Sequence, residues 1–153
     1  MVKKGYSLLI SAGAVLAPCL LLLIRLFWGV QFLQTGWGKW QDIGPVSDYF
    51  QMLGIPSPAF NAYLTATIEL VCGSFLAIGL AARLAALPLI ITMIIAFLTA
   101  HYPSVVNLFN DPQDFVCQLP FNFLLASLIV FCFGPGIFSI DALVEFVYKK
   151  NKN

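Results

Sequence analysis

Residues 17–38 read APCLLLLIRLFWGVQFLQTGWG, an apolar run in which Arg25 is the one charged side chain. An α-helix rises about 1.5 Å per residue, so this stretch reaches about 33 Å and matches the ~30 Å hydrocarbon core of a bilayer. It is predicted to be a transmembrane helix. Upstream, Lys3 and Lys4 precede an apolar run, a pattern that also fits a secretory signal cleaved within residues 11–17. The unbroken apolar continuation into residues 20–23 favours an uncleaved helix.

The composition extends this prediction to the whole chain. Of the 153 residues, 60% are hydrophobic and 10% are charged, and the mean hydropathy is +0.90. A soluble domain is about half apolar and roughly a quarter charged, so most of this surface is expected to face hydrocarbon. The length suits one domain, residues 1–153. The net charge of +1, without a basic stripe, argues against nucleic-acid binding.

Three further apolar stretches are long enough to cross a bilayer: residues 62–82, 84–102 and 116–133. Arg83 alone separates the second span from the third, which predicts a tight helical hairpin. The predicted fold is therefore all-α, a polytopic membrane protein built as a bundle of four transmembrane helices.

Two short helices are expected at the membrane surface. Residues 46–53 are predicted to form one of them in the first long link, with Ser47 as its N-cap. Residues 139–150 alternate apolar and charged side chains and are predicted to lie along the membrane, with Ser139 as N-cap and Asp141 in the first turn.

Basic residues are unequally divided between the two sides of this four-helix arrangement. One side carries Lys3, Lys4, Arg83, Lys149, Lys150 and Lys152. The other side carries Lys39 together with Asp42, Asp48, Asp111 and Asp114. Loops rich in Lys and Arg stay in the cytoplasm, so both termini are predicted to be cytoplasmic.

Two ionisable residues are predicted to lie within the hydrocarbon: Arg25 on the first helix and Glu69 on the second. A lone charge at that depth costs several kcal/mol, so the two are expected to meet, directly or through one water or polar group. Gln31 and Gln34 are further buried polar groups that need partners. Such a pair has two interpretations. It either fixes the packing and register of the two helices, or it takes part in proton transfer or ligand binding.

Glycines recur at helical spacing on the first two spans. On the first span, Gly29 and Gly36 share one stripe with Arg25 and Lys39, and Gly73 and Gly79 follow Glu69 on the second. Small residues on such a stripe let two helices approach closely. These four glycines are therefore predicted to be packing positions.

The outer mouth of the predicted bundle holds His101 and Lys39, which are candidates for ligand binding. An imidazole there can hydrogen-bond a quinone carbonyl or ligate a metal, although a polar cap is the alternative. Asp111 and Asp114 could complete a cation site with His101, but their loop spacing is unspecific, and no metal site is predicted. The four cysteines form no CxxC pair, which argues against a disulfide framework and a thiol redox pair.

Several ordered landmarks together resemble the DoxX family of small bacterial membrane proteins. They are the stripe from Arg25 to Lys39, the Gly54-Ile55-Pro56 turn, Glu69 followed by Cys72-Gly73, the segment from Gly79 to Leu87, and Gly134-Pro135-Gly136 with Ser139-Ile140-Asp141. The resemblance implies characteristic positions at Arg25, Gly36, Lys39, Glu69, Gly73, Arg83 and Asp141. Cys72 stands where the family usually has a second glycine, and no catalytic residue is implied.

The resemblance also implies a function class and a location in the bacterial inner membrane. Namesake relatives form the membrane subunit of a thiosulfate:quinone oxidoreductase, others serve oxidant defence, and some lie beside genes for copper-binding peptides. The leading hypothesis is the membrane subunit or anchor of a quinone-linked or oxidant-defence redox system that works with a protein partner or as a homo-oligomer. No cofactor is evident in the sequence, and the resemblance implies quinone as a possible one. The alternatives are a non-enzymatic scaffold or export partner in a copper-stress system, and a small oligomeric transporter.

Overall fold

The computed structural model describes residues 2–150 and 152, and its regular structure in that part of the chain is helical throughout. There are eight helices in these residues: α1 (Val2–Gln41), α2 (Ile43–Met52), α3 (Pro58–Ile78), α4 (Ala82–Thr99), α5 (Tyr102–Val106), α6 (Pro112–Cys117), α7 (Leu119–Phe133) and α8 (Ile140–Lys150). The prediction of an all-α membrane protein is confirmed at this level.

Three helical segments within the described residues are long and apolar enough to cross a membrane: Ile10–Gln41, Pro58–Ile78 and Ala82–Thr99. The fourth predicted span, residues 116–133, is divided. Gln118 has an extended backbone (φ −66°, ψ 133°) that separates α6 from α7. The remaining apolar helix, α7, has 15 residues and is about 22 Å long.

The first helix is much longer than residues 17–38. It has 40 residues and passes through Pro18 without ending. Its last turn includes Lys39, which the sequence had indicated as the start of a polar link.

The second helix is displaced toward the N-terminus relative to residues 62–82. It begins at Pro58, which suits a first turn because proline has no N–H to leave unpaired there. It ends at Ile78, because Gly79 adopts a left-handed conformation (φ +71°) that closes the helix. The next helix, α4, begins at Ala82, so residues 79–81 connect the two and the hairpin is tight, as predicted. Arg83 does not separate the helices as predicted: it lies in the first turn of α4, which ends at Thr99 and not at residue 102.

Short helices occur in both predicted segments, with one correction to their bounds, and their position at the membrane surface stays a prediction. The first begins at Ile43, so Ser47 lies within it and is not the predicted N-cap. It ends before Gly54, which has φ +72°. The second, α8, begins as predicted: the Ser139 hydroxyl accepts a hydrogen bond of 3.1 Å from the Ala142 N–H.

The bundle consists of two helix pairs. α1 packs most extensively against α3, and α4 packs against α7. A hydrophobic core joins the pairs, with the side chains of Phe32, Leu76, Leu89, Phe123 and Val130 almost fully buried. We call the end that contains the α3–α4 link, residues 79–81, the hairpin end, and the opposite end, which carries α2, the α2 end.

Glycines allow α1 and α3 to approach closely. A Cβ added to Gly36 would lie 2.5 Å from the Leu70 backbone nitrogen, and one added to Gly73 would lie 2.6 Å from the Phe32 Cβ. Real Cβ atoms do not approach other atoms so closely, so a side chain at either position would push the helices apart. Gly29 lies in the same contact, against Ala77.

We expect Gly36→Ala to lower the free energy of unfolding by about 1–3 kcal/mol, because the added methyl overpacks the α1–α3 contact. Gly38→Ala is the matched control on the same helix, since nothing lies within 4 Å of a Cβ there. It should stabilise the helix by about 0.5–1 kcal/mol, because alanine loses less backbone entropy than glycine. Denaturation by SDS in mixed micelles measures both changes. Equal effects at the two positions would contradict the packing role of Gly36.

Candidate functional site

An ion pair lies between α1 and α3, near the α2 end. The Lys39 ammonium donates to both carboxylate oxygens of Glu69, each at 2.6 Å. The Glu69 side chain is 4% exposed and the Lys39 side chain is 30% exposed. The carboxylate is therefore shielded, while the ammonium keeps an accessible side.

The predicted pairing of Arg25 with Glu69 is wrong, and the register of the helices explains why. Gly36 lies against Leu70, so Glu69 is almost level with Gly36. Lys39 is three residues from that level, about 4.5 Å along α1, whereas Arg25 is eleven residues away, about 16 Å. The sequence alone does not give the register of one helix against the other, and here the close approach of Gly36 to Leu70 sets it.

A cavity of about 700 Å³ lies beside this pair. Lys39 and Glu69 are in its lining, together with His101 from the α4–α5 connection. Other lining residues come from α2, α3, α4 and α7, and most of them are apolar. The predicted mouth residues Lys39 and His101 thus border one cavity, and Glu69 joins them.

Few polar groups in the lining are available to a ligand. The Thr35 and Thr92 hydroxyls donate to carbonyls of their own helices, each at 2.9 Å. The side chains of Thr65 and His101 form no hydrogen bond with another described residue. Lys39 has three N–H donors, so one remains after the two bonds to Glu69. The site therefore presents the Lys39 ammonium, the Thr65 hydroxyl and the His101 imidazole, together with the phenol of Tyr49 and the amide of Asn61, among apolar walls.

The α2 helix contributes to this cavity in a way that sequence reasoning missed. Val46, Tyr49 and Phe50 line it, and Leu53 follows just after the helix end. An amphipathic pattern in the link was recognisable, but it did not indicate which helices its apolar face would cover.

Arg25 lies at the hairpin end and is 1% exposed. Its guanidinium donates to the Pro135 carbonyl and, at 2.7 Å, to the Phe138 carbonyl. Its Nε has no hydrogen-bond partner among the described residues. Gly79 packs against the guanidinium so closely that a Cβ would lie 2.5 Å from Nη1. Gly79 thus makes room for Arg25, which is a different role from the predicted packing between helices.

Asp141 completes this cluster by capping a helix other than its own. Its carboxylate accepts hydrogen bonds from the N–H groups of Ala81 at 2.7 Å and Ala82 at 3.1 Å, at the start of α4. Its own N–H donates to the Gly79 carbonyl at 3.0 Å. Arg25 thus attaches the chain before α8 to α1, and Asp141 attaches the first turn of α8 to the α3–α4 link.

The remaining predicted polar residues are less central. Gln31 is half-buried, but Gln34 is exposed and does not belong to a buried polar core. Gln34 lies nine residues after Arg25, which places it on the opposite side of α1. Asp111 caps α6 by accepting from the Asp114 N–H at 3.2 Å. The described residues contain no group of three His, Cys, Asp or Glu side chains that could hold a metal ion.

Outside the spans, Glu145 and Lys149 form an ion pair of 2.5 Å on the surface of α8. The hydrogen bond and the charge of Lys149 lower the pKa of the Glu145 carboxyl below its ordinary value. Because both side chains are well exposed, this pair adds little to stability.

Comparison with known proteins identifies relatives along most of the chain. An uncharacterized membrane protein of Mycobacterium tuberculosis is 30% identical, covering 81% of this chain and 80% of its own length. CatD of Bacillus subtilis, provisionally named an oxidoreductase, is 30% identical over 86% of this chain and 90% of its own. An uncharacterized Haemophilus influenzae protein is 28% identical over 84% of this chain and 85% of its own.

No solved structure matches the chain. The family model named DoxX matches residues 20–102, which include α2, α3, α4, Arg25 and the Lys39–Glu69 pair. The protein is therefore a membrane protein that belongs to the DoxX family.

Proposed function

We propose that this protein is the membrane component of a quinone-linked redox system and that the cavity is its quinone site. The observation that carries the proposal is the Lys39–Glu69 pair in the wall of a largely apolar cavity of about 700 Å³. Binding sites for small molecules measure about 300–1,000 Å³ and combine apolar walls with a few polar groups. The oxidoreductase name of the Bacillus subtilis relative agrees with this class of function.

The chemistry of a quinone matches the groups that the cavity offers. A quinone head is flat and uncharged and has two carbonyl oxygens that accept hydrogen bonds. Lys39, Thr65 and His101 can donate to such oxygens, and the apolar walls suit the isoprenoid tail. Reduction to quinol takes two electrons and two protons, and in this proposal a redox partner protein supplies the electrons.

Glu69→Gln should lower the quinone content of the purified protein at least about tenfold, because the ammonium of Lys39 loses the carboxylate that holds it. Glu145→Gln is the matched control, since it makes the same change on the exposed surface of α8. Extraction followed by mass spectrometry measures the bound quinone, and circular dichroism in detergent checks the fold.

Three outcomes would count against the quinone site. Wild-type protein free of quinone would instead favour the scaffold hypothesis. Equal quinone contents in the two variants would remove Glu69 from the site. Loss of helical structure in Glu69→Gln would assign Glu69 to folding alone.

The proposed arrangement in the bilayer has four crossings, with α7 as the fourth and with α2 and α8 at the two surfaces. Exposed acidic residues at the α2 end, among them Asp42 and Asp48, face away from the cytoplasm in this proposal. Arg83, Lys149 and Lys150 mark the hairpin end as cytoplasmic by the excess of basic residues, in the bacterial inner membrane.

The native cysteines allow a direct check of this orientation. Cys117 lies at the α2 end and Cys132 at the hairpin end, and both are exposed. In right-side-out inner-membrane vesicles, a membrane-impermeant maleimide should label a variant that retains only Cys117. A variant that retains only Cys132 should react only after the vesicles are opened. The reverse pattern would overturn the proposed orientation.

A further inference from the structure

One wall of the cavity is bordered by side chains that also face outward. Leu64 on α3 is 44% exposed, and Ile91 and Ile95 on α4 are 57% and 50% exposed, yet all three line the cavity. Both helices are long and apolar enough to cross a membrane, so their exposed apolar side chains face hydrocarbon. The gap between α3 and α4 therefore opens toward lipid tails.

The other boundaries of the cavity are formed by packed elements. At the hairpin end, residues 79–81 hold α3 and α4 together, and the buried side chains of Phe32, Met93 and Phe123 form the base of the cavity. At the α2 end, Tyr49 and Phe50 cover it. The long apolar tail of a bound molecule would therefore reach the lipid through the gap between α3 and α4.

The Lys39–Glu69 ion pair restricts the charge that the polar head group of a bound ligand can carry. Glu69 is buried and satisfied by Lys39, so the pair is close to neutral as a unit. An anionic head would compete for the ammonium and leave the Glu69 carboxylate buried without a partner, which is strongly unfavourable. A cationic head would face Lys39 itself. An uncharged hydrogen-bond acceptor can bind the remaining N–H of the Lys39 ammonium and leave the ion pair intact.

We infer that the cavity takes a membrane-dissolved amphiphile with an uncharged hydrogen-bonding head, which enters between α3 and α4 and accepts a hydrogen bond from Lys39. The inference rests on the proposed function, because it assigns the ligand class and entry route of the same site. A quinone is one member of this class, and an acylglycerol is another.

The test compares three probes on the full-length protein in micelles: a decyl-substituted benzoquinone, monoolein and oleate. Native mass spectrometry at matched ligand-to-detergent ratios counts the bound molecules. We expect at least one uncharged probe to bind at least tenfold more tightly than oleate. We further expect Ile91→Trp, or Ile95→Trp as a second variant, to weaken that binding at least tenfold by filling the gap.

Leu98→Trp is the matched control, because Leu98 is on the same helix, is 58% exposed and does not line the cavity. Monoolein binding without benzoquinone binding would refute the quinone proposal and support this inference. Oleate binding as tight as that of the uncharged probes would overturn it. Failure of both uncharged probes to bind, or unchanged binding in both gap variants, would also overturn it.

Discussion

Lys39→Met should lower the free energy of unfolding by about 3–5 kcal/mol, the range for leaving a buried charge without its partner. Glu69 is 4% exposed, and its two carboxylate oxygens accept only from Lys39 among the described residues. Without the ammonium, the carboxylate is left in an apolar wall without a hydrogen-bond donor among the described residues. Titration with SDS in mixed micelles measures the loss.

The reverse change should cost less. In Glu69→Leu the unpaired group is Lys39, whose side chain is 30% exposed and flexible enough to extend toward the headgroups. We expect a loss of about 1.5–3 kcal/mol, the range for a hydrogen bond to a charged group. The double variant Lys39→Met with Glu69→Leu should recover most of the stability, since an apolar pair replaces an ion pair.

This set of variants also distinguishes the observed pair from the one predicted from sequence. The effects of Arg25→Met and Glu69→Leu should add to within about 0.5 kcal/mol, because the residues lie far apart along the bundle. Strong coupling between those two, or additive effects of Lys39→Met and Glu69→Leu, would contradict the ion pair described here.

The second large effect is expected at Arg25. Arg25→Met removes the two charge-assisted hydrogen bonds that the buried guanidinium donates to the Pro135 and Phe138 carbonyls. At about 1.5–3 kcal/mol for each bond, the loss should be about 3–6 kcal/mol. Hydrogen exchange should increase in residues 134–141, because that segment loses its attachment to α1.

Arg83→Met is the matched control for Arg25. Arg83 is an exposed arginine at the same end, and its guanidinium donates a single long hydrogen bond of 3.5 Å to the Cys132 carbonyl. Its replacement should change the free energy of unfolding by less than about 0.5 kcal/mol. Comparable losses in the two variants, or unchanged exchange in residues 134–141 of Arg25→Met, would show that Arg25 does not hold the C-terminal segment.

The candidate site shows how far prediction from sequence reaches. Lys39 and His101 were recognised as polar residues at the mouth, because each follows an apolar run at the same end of the bundle. Glu69 was recognised as a buried charge, because it interrupts an apolar helix. The partner of Glu69 was missed, since an error of a few residues in a helix boundary moves a side chain by several ångströms along the axis.

The C-terminal motif at the hairpin end, residues 134–141, was also predicted only in part. Ser139 was correctly predicted as the N-cap of α8, because a cap depends on residues only a few positions apart. Asp141 lies in the first turn of that helix, as predicted, but the sequence did not indicate that its carboxylate caps α4, about sixty residues away in the chain. Pattern rules for helix ends are local and do not include partners from distant segments.

The sequence alone was enough to predict a helical membrane protein, the approximate positions of three apolar helices, and the burial of Arg25 and Glu69. These properties depend on the length and polarity of continuous segments. The three-dimensional structure was needed to show that Lys39 meets Glu69, that Arg25 binds the chain before α8, and that α2 covers the cavity. Those contacts depend on the register of α1 against α3, which is set by the close approach at Gly36 and Gly73.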